Sequence, residues 1–201
     1  MESSPSGLDI PRYTNITTRV TKDFPVNAWF LDKLATTRMM LQSFQITYQI
    51  CLLINAQKIL ELGLGSEGIS TYIFIEACKS TGGKVTTVEK RTEFNYDYGH
   101  FNTYDRNIWT LIHGDDMEMD FKDQFDVIFL DTDHEEGHTD KEFAKYHPLV
   151  RTGGYLMVHD TELPGVIKPL QRFMLNHDGE YEYSFVENWF PQLTILRKVY
   201  R

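Results

Sequence analysis

Apolar residues fall into two patterns along this chain. Residues 58–62, 84–89, 109–113, 125–131 and 155–160 are short runs rich in Ile, Leu, Val and Phe, the pattern of buried strands. Between them, residues 68–79, 92–104 and 141–149 carry apolar side chains at helical spacing. Residues 27–55 form a longer helical stretch, in which Leu31, Leu34, Met39, Leu41, Phe44, Tyr48, Cys51 and Leu52 recur, with a break expected near Arg38. Residues 1 to about 25 are rich in Ser, Pro, Gly and Thr and predict an arm ahead of the fold. Gly63 and Gly65 close the first strand, Gly82-Gly83 the helix after it, and Thr152-Gly153-Gly154 the helix before the fifth strand.

Solid apolar strands alternating with helices imply a parallel sheet covered on both faces. The tail departs from this. Residues 181–186 and 193–197 are strand-like, and the six residues between them leave no room for a helix. They predict an antiparallel hairpin. The fold class expected is α/β, a three-layer Rossmann-like sandwich with a mixed sheet. At 201 residues one domain is expected over 1–201, with an arm and cap helices in 1–55 and the core in 56–201.

Composition narrows the partners. The net charge is −9, which disfavours duplex nucleic acid and anionic membrane as binding surfaces. No apolar stretch approaches the ~20 residues of a membrane span, and the first 30 residues lack a signal-peptide core. Cys51 and Cys78 read as small apolar fillers, and a disulfide framework is not expected. A cytoplasmic protein acting on a small molecule is the expectation, with a homodimer as the default assembly.

The chemistry concentrates after the first, second, fourth and fifth strands. Gly63, Gly65 and Gly68 satisfy a dinucleotide-type glycine fingerprint, and Glu89 ends the next strand, where a carboxylate can accept both ribose hydroxyls. Glu61 precedes the first glycine and Glu67 lies inside the loop. Both repel a pyrophosphate, which prefers a helix N-terminus free of extra negative charge. Both suit a ligand carrying an ammonium and a sulfonium, so S-adenosylmethionine fits the charge pattern better than a nicotinamide dinucleotide. Beyond the fourth strand, Asp131, Asp133 and His134 open an acidic loop, and Asp160 ends the fifth strand at the same sheet edge. Asp131 and Asp160 can converge on a hard cation such as Mg2+. Asp133 or His134 can then take a proton from a substrate hydroxyl. His159 reads as a strand-end histidine with a structural hydrogen bond. Trp29-Phe30 and Trp189-Phe190 are candidate walls of an acceptor pocket or simple packing residues.

Glu61-Leu-Gly-Leu-Gly65, Thr87-Val-Glu89, His113-Gly-Asp115-Asp116, the 125–131 strand and Gly153-Gly154-Tyr-Leu-Met-Val-His-Asp160 together resemble the ordered motifs of class I S-adenosylmethionine-dependent methyltransferases. They are most similar to small-molecule O-methyltransferases of the macrocin and catechol type. The resemblance implies a seven-stranded sheet with an antiparallel last strand. It implies that Glu61, Gly63, Gly65, Ser70 and Asp131 lie along the cofactor, that Glu89 takes its ribose, and that Asp115 takes its adenine amino group. It also implies metal ligation by Asp131 and Asp160, with Thr161 standing where the group usually has Asp or Asn. His134 occupies the place of the catechol-type lysine base and Asp133 that of the macrocin-like base. Two other readings compete: a non-catalytic binder of the same cofactor, and a zinc peptidase using His134-Glu135-Glu136-Gly137-His138. The peptidase reading is poorly supported by context, because that motif directly follows a strand.

Overall fold

The structure is a computed structural model, and it describes Phe30 and residues 41–65, 68–92, 106–186 and 192–199. The arm, the expected break near Arg38, the 92–104 helix, Glu67, Trp29 and Trp189-Phe190 lie outside the described residues.

Seven strands form one sheet: β1 (Lys58–Leu62), β2 (Lys84–Glu89), β3 (Trp109–His113), β4 (Phe125–Leu130), β5 (Val150–His159), β6 (Tyr181–Val186) and β7 (Leu193–Lys198). Their order across the sheet is β3-β2-β1-β4-β5-β7-β6. The first five are parallel, and β7 runs antiparallel between β5 and β6. The chain winds outward from β1 to β3, then returns to β4 on the other side of β1. The switch point therefore lies between the carboxyl ends of β1 and β4, where open α/β sheets bind their ligands.

Four helices are described: α1 (Leu41–Leu53), α2 (Ile69–Thr81), α3 (Glu136–Tyr146) and α4 (Pro164–Asn176). The pleat of the strands sorts the core into two clusters. Ile59, Val127, Phe129 and Met157 face α1 and α2, together with Phe44, Ile73 and Phe74. Leu60, Leu62, Ile128, Leu130 and Leu156 face α3 and α4, together with Phe143, Tyr146, Leu170 and Phe173. Helices thus pair α1 with α2 on one face and α3 with α4 on the other, giving the three layers expected. Phe30 is fully buried, stacked on Tyr72 at 5.3 Å and edge-on to Phe44 at 6.4 Å. It is a core residue, so the pocket-wall alternative does not apply to it. Cys51 and Cys78 are free and buried, as their apolar neighbourhoods predict.

Three elements differ from the sequence expectation. The helix read over 141–149 starts earlier, at Glu136, and gives way to a 3-10 turn at His147–Leu149. The strand read from 155 begins at Val150, and its pairing with β4 shifts register between Phe125 and Val127. Helix α4 was not expected. Pro164 stands in its first turn, where a missing N–H costs nothing, and Pro169 is buried inside the helix.

Candidate active site

Glu61, on β1, points to the α1/α2 face and is fully buried. Its Oε2 accepts hydrogen bonds from Thr71 Oγ1 of α2 at 2.6 Å and Thr87 Oγ1 of β2 at 2.7 Å. Thr87 Oγ1 in turn accepts from Trp109 Nε1 at 2.9 Å. Oε1 has no hydrogen bond. Burial pushes the Glu61 carboxyl up to about 7, against the pull of the Ser70, Thr71 and Thr87 hydroxyls. A buried carboxylate oxygen left open at the switch point is the feature an ammonium-bearing ligand satisfies.

Gly63 follows, with its backbone N–H donating to Val88 O at 2.9 Å. A Cβ at Gly63 would collide with the backbone carbonyl of Asp131, so β1 and β4 can approach at their carboxyl ends only with glycine there. Gly65 has positive φ, and a side chain there would meet open space.

Glu89, at the end of β2, accepts from Leu64 N at 3.1 Å and Arg91 N at 2.8 Å. The Arg91 guanidinium also grips both carboxylate oxygens, at 2.9 and 2.8 Å. Burial works against the charge, but Arg91 holds the carboxyl below its ordinary value. Beyond β3, Asp115 accepts from Lys90 Nζ at 2.7 Å and Met117 N at 2.9 Å, and Lys90 lowers its pKa. Thus Glu61, Glu89 and Asp115 stand at the carboxyl ends of three neighbouring strands.

The second half of the site follows β4 and β5. His134 Nε2 lies 3.1 Å from Asp160 Oδ2 and 3.7 Å from Asp131 Oδ1. His159 Nδ1 lies 3.3 Å from Asp160 Oδ2 and 3.4 Å from Asp131 Oδ1. Two carboxylates therefore face two imidazoles. Hydrogen bonding to Asp131 and Asp160 raises His134 to about 10. Burial lowers His159, but the same two acids outweigh it and raise it to about 10. Burial also raises both acids, and the imidazoles more than reverse that, holding Asp131 and Asp160 below the usual carboxylate range. Asp160 adopts φ 52, a left-handed backbone that a non-glycine residue takes only under local constraint.

Asp131, His134 and Asp160 present three ligand atoms within 4.8 Å of one another. Of these, the Asp131 and Asp160 carboxylates are the donors that fit a hard divalent cation, with His134 hydrogen-bonded beside them. Thr161 adds nothing to it, because its hydroxyl is buried and accepts from Thr194 Oγ1 of β7 at 3.1 Å. Asp133 stays apart, exposed on the rim, where its carboxylate accepts from Glu135 N at 3.2 Å.

The histidines of 134–138 diverge. His134 precedes α3 and joins Asp131 and Asp160, whereas His138 lies within α3 and its Nε2 is 3.3 Å from Asp116 Oδ1. The peptidase geometry, with both imidazoles on one helix face, is not formed.

The family described as a methyltransferase domain matches residues 60–161, a span that holds Glu61, Glu89, Asp115, Asp131, His134 and Asp160. The chain belongs to this methyltransferase family. No curated protein sequence matches it. Among solved structures, it is similar to the O-methyltransferase TomG of Streptomyces achromogenes, involved in tomaymycin synthesis and crystallised with S-adenosylmethionine (TM-score 0.68, 14% identity, covering 89% of this chain and 93% of that one). It is also similar to the Podospora anserina methyltransferase PaMTH1 bound to S-adenosylhomocysteine (TM-score 0.64, 16% identity, 86% and 88%). A third is the Bacillus cereus O-methyltransferase in complex with S-adenosylhomocysteine (TM-score 0.60, 16% identity, 88% and 94%). At these identities the likeness is one of fold.

Two supports of this methyltransferase site were not visible in the sequence. A Cβ at Gly165, in the first turn of α4, would strike the His134 carbonyl, so α4 packs directly on the acidic loop. Arg172 of α4 then clamps α3, donating to Asp140 Oδ2 at 2.6 Å and Glu136 Oε1 at 2.8 Å. Gly165 sits in a Pro-Gly pair that carries no signal of its own in the sequence; only the neighbour across the gap reveals its role.

Proposed function

We propose that this methyltransferase transfers a methyl group from S-adenosylmethionine to a hydroxyl oxygen of a small molecule. The observation that carries the reading is the open, buried Oε1 of Glu61 at the switch point, in line with Glu89 and Asp115. In this reading Glu61, with Ser70 and the Gly63–Gly65 turn, holds the methionine end, Glu89 the ribose and Asp115 the adenine. The solved neighbours bound to S-adenosylmethionine or S-adenosylhomocysteine support the choice of cofactor. When bound, that cofactor supplies an electrophilic methyl on a sulfonium.

The acceptor lies toward Asp131, His134 and Asp160. Asp131 and Asp160 would hold a divalent cation such as Mg2+, which would lower the pKa of a bound hydroxyl. His134 holds its proton at neutral pH, so Asp133, exposed on the rim, is the group free to accept one. His134 orients the carboxylates and the acceptor by hydrogen bonding. No described helix is long and apolar enough to cross a membrane.

The test is S-adenosylhomocysteine release from S-adenosylmethionine with a panel of phenols, catechols and sugar hydroxyls, with and without Mg2+. Turnover on at least one oxygen acceptor is expected. Asp133→Asn should lower kcat by roughly 100-fold and leave cofactor affinity unchanged. Tight cofactor binding without turnover on any acceptor would favour a non-catalytic binder.

A further inference from the structure

A second cluster of titratable groups lies behind the acidic loop and takes no part in methyl transfer. Asp116 follows β3, and His138 and Glu142 lie one turn apart on α3. Asp116 and Glu142 are 5% and 2% exposed. The geometry points to Asp116, His138 and Glu142 as a buried binding site for a divalent transition-metal ion of the Zn2+ type, separate from Asp131 and Asp160.

The spacing carries this first. His138 Nε2 is 3.3 Å from Asp116 Oδ1 and 3.8 Å from Glu142 Oε1, and all three ligand atoms lie within 4.8 Å of one another. Ligands on a tetrahedral zinc, with bonds of about 2.1 Å, stand about 3.4 Å apart. The second observation is unsatisfied polarity. Asp116 Oδ2 and His138 Nε2 are buried and make no hydrogen bond, despite the short approach of imidazole to carboxylate. Buried polar atoms left without a hydrogen bond beside two further ligand atoms are groups that a bound cation would satisfy.

The surroundings favour a cation. Lys145 spends its ammonium on the backbone carbonyls of Asp116 and Met117, at 2.8 and 2.6 Å. Burial pushes the Glu142 carboxyl up to about 8, and Asp116, Asp131 and Asp133 add negative field there, a penalty an ion would remove. Thr132 Oγ1 donates to Glu142 Oε1 at 2.7 Å, the kind of outer hydrogen bond that fixes a carboxylate ligand. One imidazole with two carboxylates suits Zn2+ better than Mg2+ or Ca2+, which prefer all-oxygen sets. Three protein ligands would leave the fourth position of a tetrahedral ion to water. The His147–His177–Glu180 cluster contrasts with it, because Lys198 Nζ already stands 3.7 Å from Glu180. The ion would tie the turn that carries Asp115 to α3.

The test uses the full chain, stripped with EDTA and titrated with ZnCl2 alone by calorimetry, and with Co2+ followed by visible absorption. One tight equivalent, a tetrahedral Co2+ spectrum and a metal-dependent rise in Tm are expected. Asp160→Asn should keep all three. Asp116→Asn and Glu142→Gln, which keep the shape of the buried side chains, should each weaken Zn2+ binding by roughly 100-fold and abolish the rise in Tm, with the far-ultraviolet circular dichroism unchanged. Undiminished Zn2+ binding in Asp116→Asn and Glu142→Gln would overturn the assignment. So would loss of binding in Asp160→Asn instead, or no stoichiometric Zn2+ in the folded wild type. These outcomes are independent of whether the chain binds S-adenosylmethionine.

Discussion

Glu61 shows what one buried carboxyl does at this site. Its raised pKa means that it stabilises the ligand-free fold in its protonated form. That contribution is complete below its unfolded value near 4.5 and is lost as pH rises through about 7. An ammonium beside it favours the ionised form, so S-adenosylhomocysteine binding near pH 7 should release protons. Calorimetry in buffers of different ionisation enthalpy reads this directly, and a binding enthalpy independent of buffer would contradict it. Glu61→Gln should abolish the proton release and weaken binding while leaving the ligand-free protein at least as stable at pH 8. Glu89 poses the complementary case. Its Arg91 partner occupies both oxygens that two ribose hydroxyls need. Glu89→Ala should therefore cost about 3 kcal/mol of cofactor affinity, and Arg91→Ala should strengthen it, both measurable by titration.

Elements hold these residues through contacts that span the sheet. Asp126 of β4 accepts from Gln57 N and Lys58 N at 2.7 Å each, where β1 begins, and from Arg151 Nε of β5 at 2.5 Å. Asp126→Ala breaks all three, and a loss of about 3 kcal/mol is expected in urea unfolding. Gly165→Ala acts at the other end. Its methyl meets a backbone carbonyl, which cannot swing aside as a side chain can, so α4 must shift off the His134 loop. A loss of about 2 kcal/mol and a fall in kcat are expected together. The strands were legible because parallel strands buried on both faces read as unbroken apolar runs. Helix α4 was not, because proline chemistry depends on position: Pro164 fits a first turn that only the fold defines. The start of α3 was missed because Glu136, Gly137 and His138 carry no apolar face, and burial there begins at Thr139.

The whole molecule assembles one edge from five strand ends. The sheet order sets Glu89, Glu61, Asp131 and Asp160 in sequence along it, from β2 to β5. Sequence reasoning reaches these four because the strand-end rule needs only strand boundaries. It does not reach the partnership of Asp116 with His138 and Glu142, or the second imidazole of His159 beside Asp131, since both depend on how loops fold back over the sheet. The excess of acidic groups at this edge distinguishes a sulfonium cofactor from a dinucleotide, and that distinction is measurable. The direct test is calorimetric titration of the full chain with S-adenosylhomocysteine and, separately, with NAD+. One-to-one binding of S-adenosylhomocysteine, lost in Glu89→Ala, with no heat from NAD+, is expected. Binding of NAD+ at the same site, or no binding of S-adenosylhomocysteine to the folded chain, would contradict it.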